Sequence, residues 1–353
     1  MIGGAGTYAY ELALGLNKLD HDLKILTSDR DINSSEYQVD KFLLDEGIQI
    51  KRRKWLNNVW FLYWKFFLKK ELRSSKYDLI IFANQGAITI GSKMKSLTVP
   101  YICTLHGGER YTLLAKTQNI KSKLSYNQSD LLRFLFDARW VIAVSNSFKK
   151  DVIELVPELK RNTKTVPLGI SDDFYYSLER EPESSVLVST ARLVVEKGHY
   201  VLLDVALKLK LEGFLFQLYI IGNGAEHNSL QRVIKNNALE NHVFLLGGLD
   251  RKQIANIYKT SDVFILLTQF SETFGLAYLE AMYSGLPVIG TNKGAIPEIV
   301  LHDYNGYLVE PFDVDNAISY IKRALKNKNS LGSNALKTAL RYSNVEMARQ
   351  HLT

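Results

Sequence analysis

The stretch Thr268-Gln-Phe-Ser-Glu272-Thr-Phe-Gly275-Leu-Ala-Tyr-Leu-Glu280-Ala-Met282 carries the densest chemical signal in the chain. It follows Val263-Phe-Ile-Leu-Leu267, an apolar run whose length suits a buried strand better than a helix. The pattern predicts a helix that begins near Thr273 or Gly275. Glu272 then lies in the loop at the strand's end, and Glu280 lies one to two turns into the helix. If the whole interval were helical, the two carboxylates would stand roughly 12 Å apart. That gap exceeds the ~5–9.5 Å that separates an acid and a base flanking one bond. It suits two carboxylates that accept hydrogen bonds from separate hydroxyls on one long ligand, and a nucleotide-sugar is such a ligand. Between them, Thr273, Phe274 and Gly275 would present backbone N–H groups at a helix N-terminus, where phosphate oxygens are favoured.

Glu272 and Glu280 form an E-x7-E spacing, followed by Ala281-Met-Tyr-Ser-Gly285-Leu-Pro287-Val and Gly294-Ala-Ile-Pro297-Glu298. On these residues the chain resembles the retaining, GT-B-fold glycosyltransferases of family 4, and most of its length is similar to that family. The resemblance implies an α/β fold of GT-B type, two Rossmann-like domains with a donor cleft between them. Residues 1–174 would form the amino-terminal, acceptor-side domain. Residues 185–353 would form the carboxy-terminal donor domain, with the charged stretch 175–184, which carries Pro182, as linker. The implied reaction moves a hexose from a UDP- or GDP-linked sugar to an acceptor hydroxyl with retention. It would proceed by front-face attack, the leaving phosphate taking the acceptor's proton.

Composition is compatible with this reading. A chain of 353 residues with 46% hydrophobic and 23% charged content is long enough for two soluble domains. It contains no run of about 18 uncharged apolar residues, so a membrane-spanning helix is not expected, and its start is not a secretory signal. The single cysteine, Cys103, excludes a disulfide framework and reads as a small core residue. Cytoplasmic residence fits these features. The net charge of +7 is local: residues 51–73 hold eight Lys and Arg against Glu71 alone, leaving the rest near neutral.

That basic segment includes a predicted helix from Trp55 to Leu72, rich in Trp, Tyr and Phe, with Lys65, Lys69 and Arg73 forming a stripe. Such a helix can pack on a sheet as a crossover, and its exposed edge can rest on anionic lipid at the inner face of the membrane. A lipid-linked glycan in surface polysaccharide assembly is the acceptor this suggests. Nucleic-acid binding is disfavoured, because the cations are interleaved with a broad apolar face. A nicotinamide dehydrogenase is disfavoured too, since no G-x-G-x-x-G with a downstream acid follows a strand.

Other site residues are read along the chain. Strands are expected at Leu23–Thr27, Ile48–Lys51, Tyr77–Phe82, Pro100–Leu105 and Trp140–Val144. His106 closes the fourth, at the carboxyl edge where open α/β sheets bind ligands, and the resemblance implies that it bonds the transferred sugar, with Glu109 and Arg110 facing the acceptor. Ser145-Asn-Ser147 needs only N-cap chemistry. In the second half, Arg192 and Lys197 bracket a loop after Val186–Thr190 in the family's R-x4-K spacing, and both side chains suit phosphate. Gly222-Asn-Gly224 reads as a tight turn. The resemblance places Gly248 and Leu249 near the base and Thr273, Phe274, Gly275 and Leu276 on the phosphates. It assigns Glu272 to the sugar ring and Glu280 to the ribose diol. The opening Gly3 and Gly4 resemble a loop that approaches the donor's phosphate and sugar.

No metal and no resident cofactor are expected. Asp313-Val-Asp315 spells D-x-D just before the helix expected at Asp315–Lys326, where an Asp N-cap is the simpler account. Because no strand precedes Gly3, the chain is expected to be a fragment or to have a misassigned start, leaving two strands of the first sheet with unpaired ladder groups. The last helix, which in the family crosses back to the first domain, is expected to be cut short after Ser343. The competing function is a catalytically silent GT-B scaffold in a glycan-assembly complex. The joint presence of Arg192, Lys197, Glu272 and Glu280 argues against it.

Overall fold

Every strand pairing among the described residues is parallel, which requires crossover connections between successive strands. The computed structural model describes residues 4–28, 47–53, 60–94, 97–108, 128–171 and 185–353. Its contacts separate into two units, residues 170–343 and residues 2–169 together with 344–353.

The amino-terminal unit runs α1 (Gly4–Asn17), β1 (Lys24–Ser28), β2 (Gln49–Arg53), α2 (Trp60–Ser74), β3 (Ile80–Phe82), α3 (Gln85–Ser92), β4 (Tyr101–Leu105), α4 (Gln128–Asp137), β5 (Trp140–Ala143), α5 (Asn146–Leu155) and β6 (Thr163–Thr165). Its strands fall into two sheets, β1-β2 and β3-β4-β5-β6, and among the described residues no ladder joins β1 to β3. Helices serve both sheets. On α1, Ala13 and Leu14 pack against Ile25 and Ile50, and the Tyr8 hydroxyl reaches Thr104 of β4. On α2, Trp64 and Phe67 pack against Leu26 of β1 and Ile90 of α3. Cys103 is fully buried in β4, as a small core residue should be. Ser145 caps α5 by accepting the Phe148 N–H at 3.0 Å.

The carboxy-terminal unit is a doubly wound sheet. It comprises β7 (Ser185–Thr190), α6 (His199–Leu211), β8 (Phe216–Ile221), α7 (His227–Asn236), β9 (Val243–Gly247), α8 (Arg251–Lys259), β10 (Val263–Leu266), α9 (Leu276–Tyr283), β11 (Val288–Thr291), α10 (Ile296–Ile299), β12 (Gly306–Val309), α11 (Val314–Lys326) and α12 (Lys328–Ala339). The strand order is β12-β11-β10-β7-β8-β9. The strands β10 and β11 are buried on both faces, which is why Val263-Phe-Ile-Leu266 of β10 is a continuous apolar run without alternation. Leu202, Val205, Ala206 and Leu209 of α6 and Ala317, Ile321 and Ala324 of α11 close one core with Leu187, Leu218 and Ile265 of the sheet.

The chain then returns to the first unit. Residues 344–353, which the sequence reading leaves in the carboxy-terminal domain, belong to the amino-terminal unit. The last helix, expected to be cut short after Ser343, is present there as a separate element, α13 (Asn344–Leu352), after a non-helical break at 340–343. The reason lies in α1: a Cβ on Gly15 would sit 2.1 Å from the Asn344 carbonyl oxygen, so only glycine admits this approach. The buried Glu11 carboxylate then accepts from the Asn344 side chain at 3.1 Å.

Candidate donor site at the sheet's switch point

In the carboxy-terminal unit the strand order reverses between β7 and β10, and open α/β sheets bind ligands outside the carboxyl ends of their strands at such a point. The loops leaving these two strands are stitched together. The Gln269 N–H donates to the Glu196 carbonyl at 2.7 Å, and the Thr268 hydroxyl donates to the same oxygen at 3.2 Å. Gly198 has φ +71°, and a Cβ there would lie 1.8 Å from the Leu267 carbonyl oxygen, so a side chain would push the loops apart.

This stitching brings Lys197 and Glu272 into contact. The Lys197 ammonium donates to Glu272 Oε1 at 2.5 Å and lies 4.8 Å from the centre of the Phe270 ring. Their side chains are 14% and 11% exposed, so the pair is neither solvated nor sealed. Arg192, at the other end of the same loop, is exposed. Its carbonyl accepts from the buried His199 Nε2–H at 3.0 Å. Burial holds the His199 imidazole below its ordinary pKa, in the neutral form whose single ring proton serves that bond.

The helix after Glu272 begins at Leu276, one residue past the expected start, so Thr273, Phe274 and Gly275 form the turn leading into it. Gly275 takes φ +98°, where a side chain would be strained and would meet Ile296. Phe274 is buried and stands edge-on to Tyr342, so a ligand would meet its backbone. Gly294 explains the second matching stretch: a Cβ there would lie 2.6 Å from the Glu272 carbonyl oxygen, to which the Ala295 N–H donates at 3.0 Å. Glu280 sits in the second turn of α9, close enough to Tyr258 that, after burial, its charge raises that hydroxyl's pKa. Gly248 and Leu249 follow β9, and the Gly248 N–H donates to Asn223 Oδ1 at 2.9 Å.

The structure therefore gathers Arg192, Lys197, Glu272 and the Thr273–Leu276 turn around the switch point. Asn223, His199 and Gly294 were not singled out from the sequence as site residues. Asn223 and Gly294 lay inside stretches already noted, while a single buried histidine after Lys197-Gly198 gave no pattern to read.

In the amino-terminal unit, His106 follows β4 as expected. Its Nε2–H donates to the Ala83 carbonyl at 3.1 Å, and burial lowers its pKa to about 4, so the ring is neutral near pH 7. Tyr8 meets it edge-on, with ring centres 4.6 Å apart. The Tyr8 hydroxyl lies 2.6 Å from Thr104 Oγ1 and 2.8 Å from His351 Nε2. Since His351 Nδ1–H donates to the Met347 carbonyl at 2.7 Å, its Nε2 accepts and Tyr8 donates. Gly4 is the first residue of α1. Gly3, Glu109, Arg110 and the linker 175–184 lie outside the described residues.

The basic segment is divided by the fold. Glu71, buried on α2, takes Lys24 and Lys51, each at 2.6 Å, and the Tyr77 hydroxyl at 2.8 Å. Burial pulls its pKa up, but these partners outweigh it and hold the carboxyl at about 2. Lys51 is thus turned to an internal partner and does not belong to an outward stripe, a correction to the 51–73 patch. What faces out is Phe66, 68% exposed, beside Lys69, Lys70, Arg73 and Ser74 around a cavity of about 320 Å³. Among the described residues no helix is long and apolar enough to cross a membrane. Asp313 caps α11 through the Asn316 N–H at 3.0 Å, and Asp315 pairs with Lys208, which accounts for both acids of the D-x-D.

Comparison with known proteins agrees with this architecture. The family model described as Glycosyltransferase Family 4 matches residues 2–174, and the one described as Glycosyl transferases group 1 matches residues 175–339. The chain is 25% identical to the N-acetyl-alpha-D-glucosaminyl L-malate synthase of Bacillus anthracis, over 93% of this chain and 87% of that one. Among solved structures it is similar to Anabaena Alr3699/HepE in complex with UDP and glucose, with a TM-score of 0.76, 21% identity, and 99% and 95% of the two chains covered. It is also similar to sucrose-phosphate synthase from Thermosynechococcus elongatus, with a TM-score of 0.79, 19% identity, and 99% and 92% covered. With its two family segments end to end and its parallel, doubly wound architecture, the chain belongs to the GT-B glycosyltransferases of family 4.

Proposed function

We propose that this glycosyltransferase moves a hexose from a nucleoside diphosphate-sugar to the hydroxyl of a lipid-linked glycan with retention of anomeric configuration. The observation that carries the reading is the Lys197–Glu272 contact at the switch point, beside Arg192 and the turn into α9. A cation and a sugar-binding carboxylate side by side match a donor whose phosphate and hexose are joined at one bond. When that bond breaks, charge grows on the leaving diphosphate, and fixed positive groups aimed at it lower the barrier. Arg192, Lys197 and the amides of Thr273, Phe274, Gly275 and Leu276 supply them. Glu272 orients the hexose, Glu280 holds the ribose diol, and Gly248 and Leu249 meet the base through their backbone. His106, Gly3 and Gly4 are assigned to the same donor, with neutral His106 placing one hydrogen bond on the sugar.

In this scheme the acceptor oxygen forms its bond to the anomeric carbon on the face the diphosphate leaves, and a departing phosphate oxygen takes the proton. No protein nucleophile and no metal are assigned. Anabaena Alr3699/HepE was solved with UDP and glucose, which favours a UDP-sugar among the donors to be tried. The enzyme would work on the cytoplasmic face of an anionic membrane, reached through α2, in surface polysaccharide synthesis. The test is to screen UDP- and GDP-hexoses by thermal shift, run transfer with the stabilising donor, and read the anomeric configuration of the product by NMR. An α-linked product from an α-linked donor is expected. An inverted product would overturn the mechanism, and donor binding without turnover would favour a silent scaffold.

A further inference from the structure

The turn Gly222-Asn223-Gly224 after β8 has a chemistry that its tight-turn role leaves unexplained. Gly222 is required for its backbone: φ is +148°, and a Cβ would lie 1.9 Å from the Ala191 carbonyl oxygen. Gly224 is required for space, since a Cβ there would lie 2.1 Å from the Leu193 carbonyl oxygen. Both glycines press the turn against the loop that runs from Arg192 to Lys197. Asn223 itself has no such demand. It is exposed, and nothing in its backbone calls for an amide side chain.

Its hydrogen bonds link two loops. The Asn223 carbonyl accepts the Leu193 N–H at 2.9 Å, inside the Arg192–Lys197 loop. Its side-chain Oδ1 accepts the Gly248 N–H at 2.9 Å, inside the loop after β9. A third bond runs parallel to these, from the Gly222 N–H to the Gly247 carbonyl at 2.8 Å. Gly248 is also held by contact, because a Cβ there would sit 2.4 Å from Asn223 Nδ2.

We propose that Asn223 is a positioning residue for the nucleotide, fixing the loop after β9 relative to the phosphate-binding loop after β7 so that base and diphosphate are gripped in one geometry. The inference rests on the proposed function, which puts the diphosphate at Arg192 and Lys197 and the base at Gly248 and Leu249. A consequence is that the Gly248 N–H is already engaged, so base contacts fall to the Gly248 carbonyl and to Leu249. Losing the clasp loosens the base end of the ligand without touching a reacting atom.

The experiment is calorimetric titration of the full chain with UDP and with GDP, for the unaltered protein and for Asn223→Ala and Asn223→Asp, with melting temperatures recorded alongside. Asn223→Asp keeps an oxygen acceptor for the Gly248 N–H, whereas Asn223→Ala removes it. For whichever nucleotide the unaltered chain binds, Asn223→Ala should raise Kd roughly 10-fold, the scale of one hydrogen bond. Asn223→Asp should stay within about threefold, and both should melt close to the unaltered chain, because the side chain is exposed. Equal affinity for the unaltered chain and Asn223→Ala would overturn the inference, as would an equal loss in both variants. Failure of the unaltered chain to bind either nucleotide would instead overturn the reading of the donor site, and this inference with it.

Discussion

Lys197 and Glu272 are 75 residues apart in sequence and 2.5 Å apart in the fold. To serve a donor, each must exchange that contact for substrate oxygens. Lys197→Ala should therefore lower kcat/KM by about 10²–10³-fold, the usual consequence of removing one preorganised group aimed at developing charge. Steady-state kinetics with the stabilising donor checks this, and an unchanged kcat/KM would remove Lys197 from the site. His106 and His351 make a second prediction. Burial leaves both at about 4 when folded, against roughly 6.5 in an unfolded chain. Between those values the unfolded state binds more protons, so stability is complete above about pH 6.5 and falls as pH drops toward 4. Melting temperatures from pH 7.5 to 4.5 should show this decline, and His351→Gln should flatten it. A melting temperature independent of pH across that range would contradict the burial of neutral rings. The E-x7-E and R-x4-K spacings were legible because each sits at the end of an apolar strand. His199 and Asn223 were not, because their partners are backbone groups on other loops.

Among the elements, α2 shows how a charge count can mislead. From sequence, residues 51–73 read as one basic patch, with Lys65, Lys69 and Arg73 as its stripe. In the fold, Glu71 draws Lys24 and Lys51 inward and leaves Phe66, Lys69, Lys70 and Arg73 as the outward group. Tyr77 is drawn to the same carboxylate. The strand β3 begins at Ile80 instead of the expected Tyr77. If the outward group rests on anionic lipid, each cation adds about 1 kcal/mol. Replacing Lys69, Lys70 and Arg73 by Glu should then abolish flotation with phosphatidylglycerol vesicles while leaving binding to the donor intact. Equal flotation of the altered and unaltered proteins would end the membrane assignment. In the carboxy-terminal unit the expected strands Val186–Thr190 and Val263–Leu267 fall within one residue of β7 and β10 at each end, since double-sided burial writes continuous apolar runs.

At the scale of the whole molecule, the two-domain α/β reading holds, but the domain limits needed the structure. Nothing in Asn344–Leu352 signals that it packs with α1. The signal is Gly15, one glycine in a helix, whose missing Cβ admits the Asn344 backbone. The gap between the two amino-terminal sheets lies where the sequence reading expected two strands without a ladder partner: among the described residues no ladder joins β1 to β3. The strand order of the carboxy-terminal unit, β12-β11-β10-β7-β8-β9, sets the switch point on which the functional reading depends. The claim that a nucleoside diphosphate is gripped there is tested most directly by amide hydrogen exchange of the full chain with and without saturating UDP or GDP. Slower exchange is predicted in residues 192–199, 247–250 and 272–280 together. Binding that leaves those three segments unprotected, or that protects a different edge of the sheet, would contradict it.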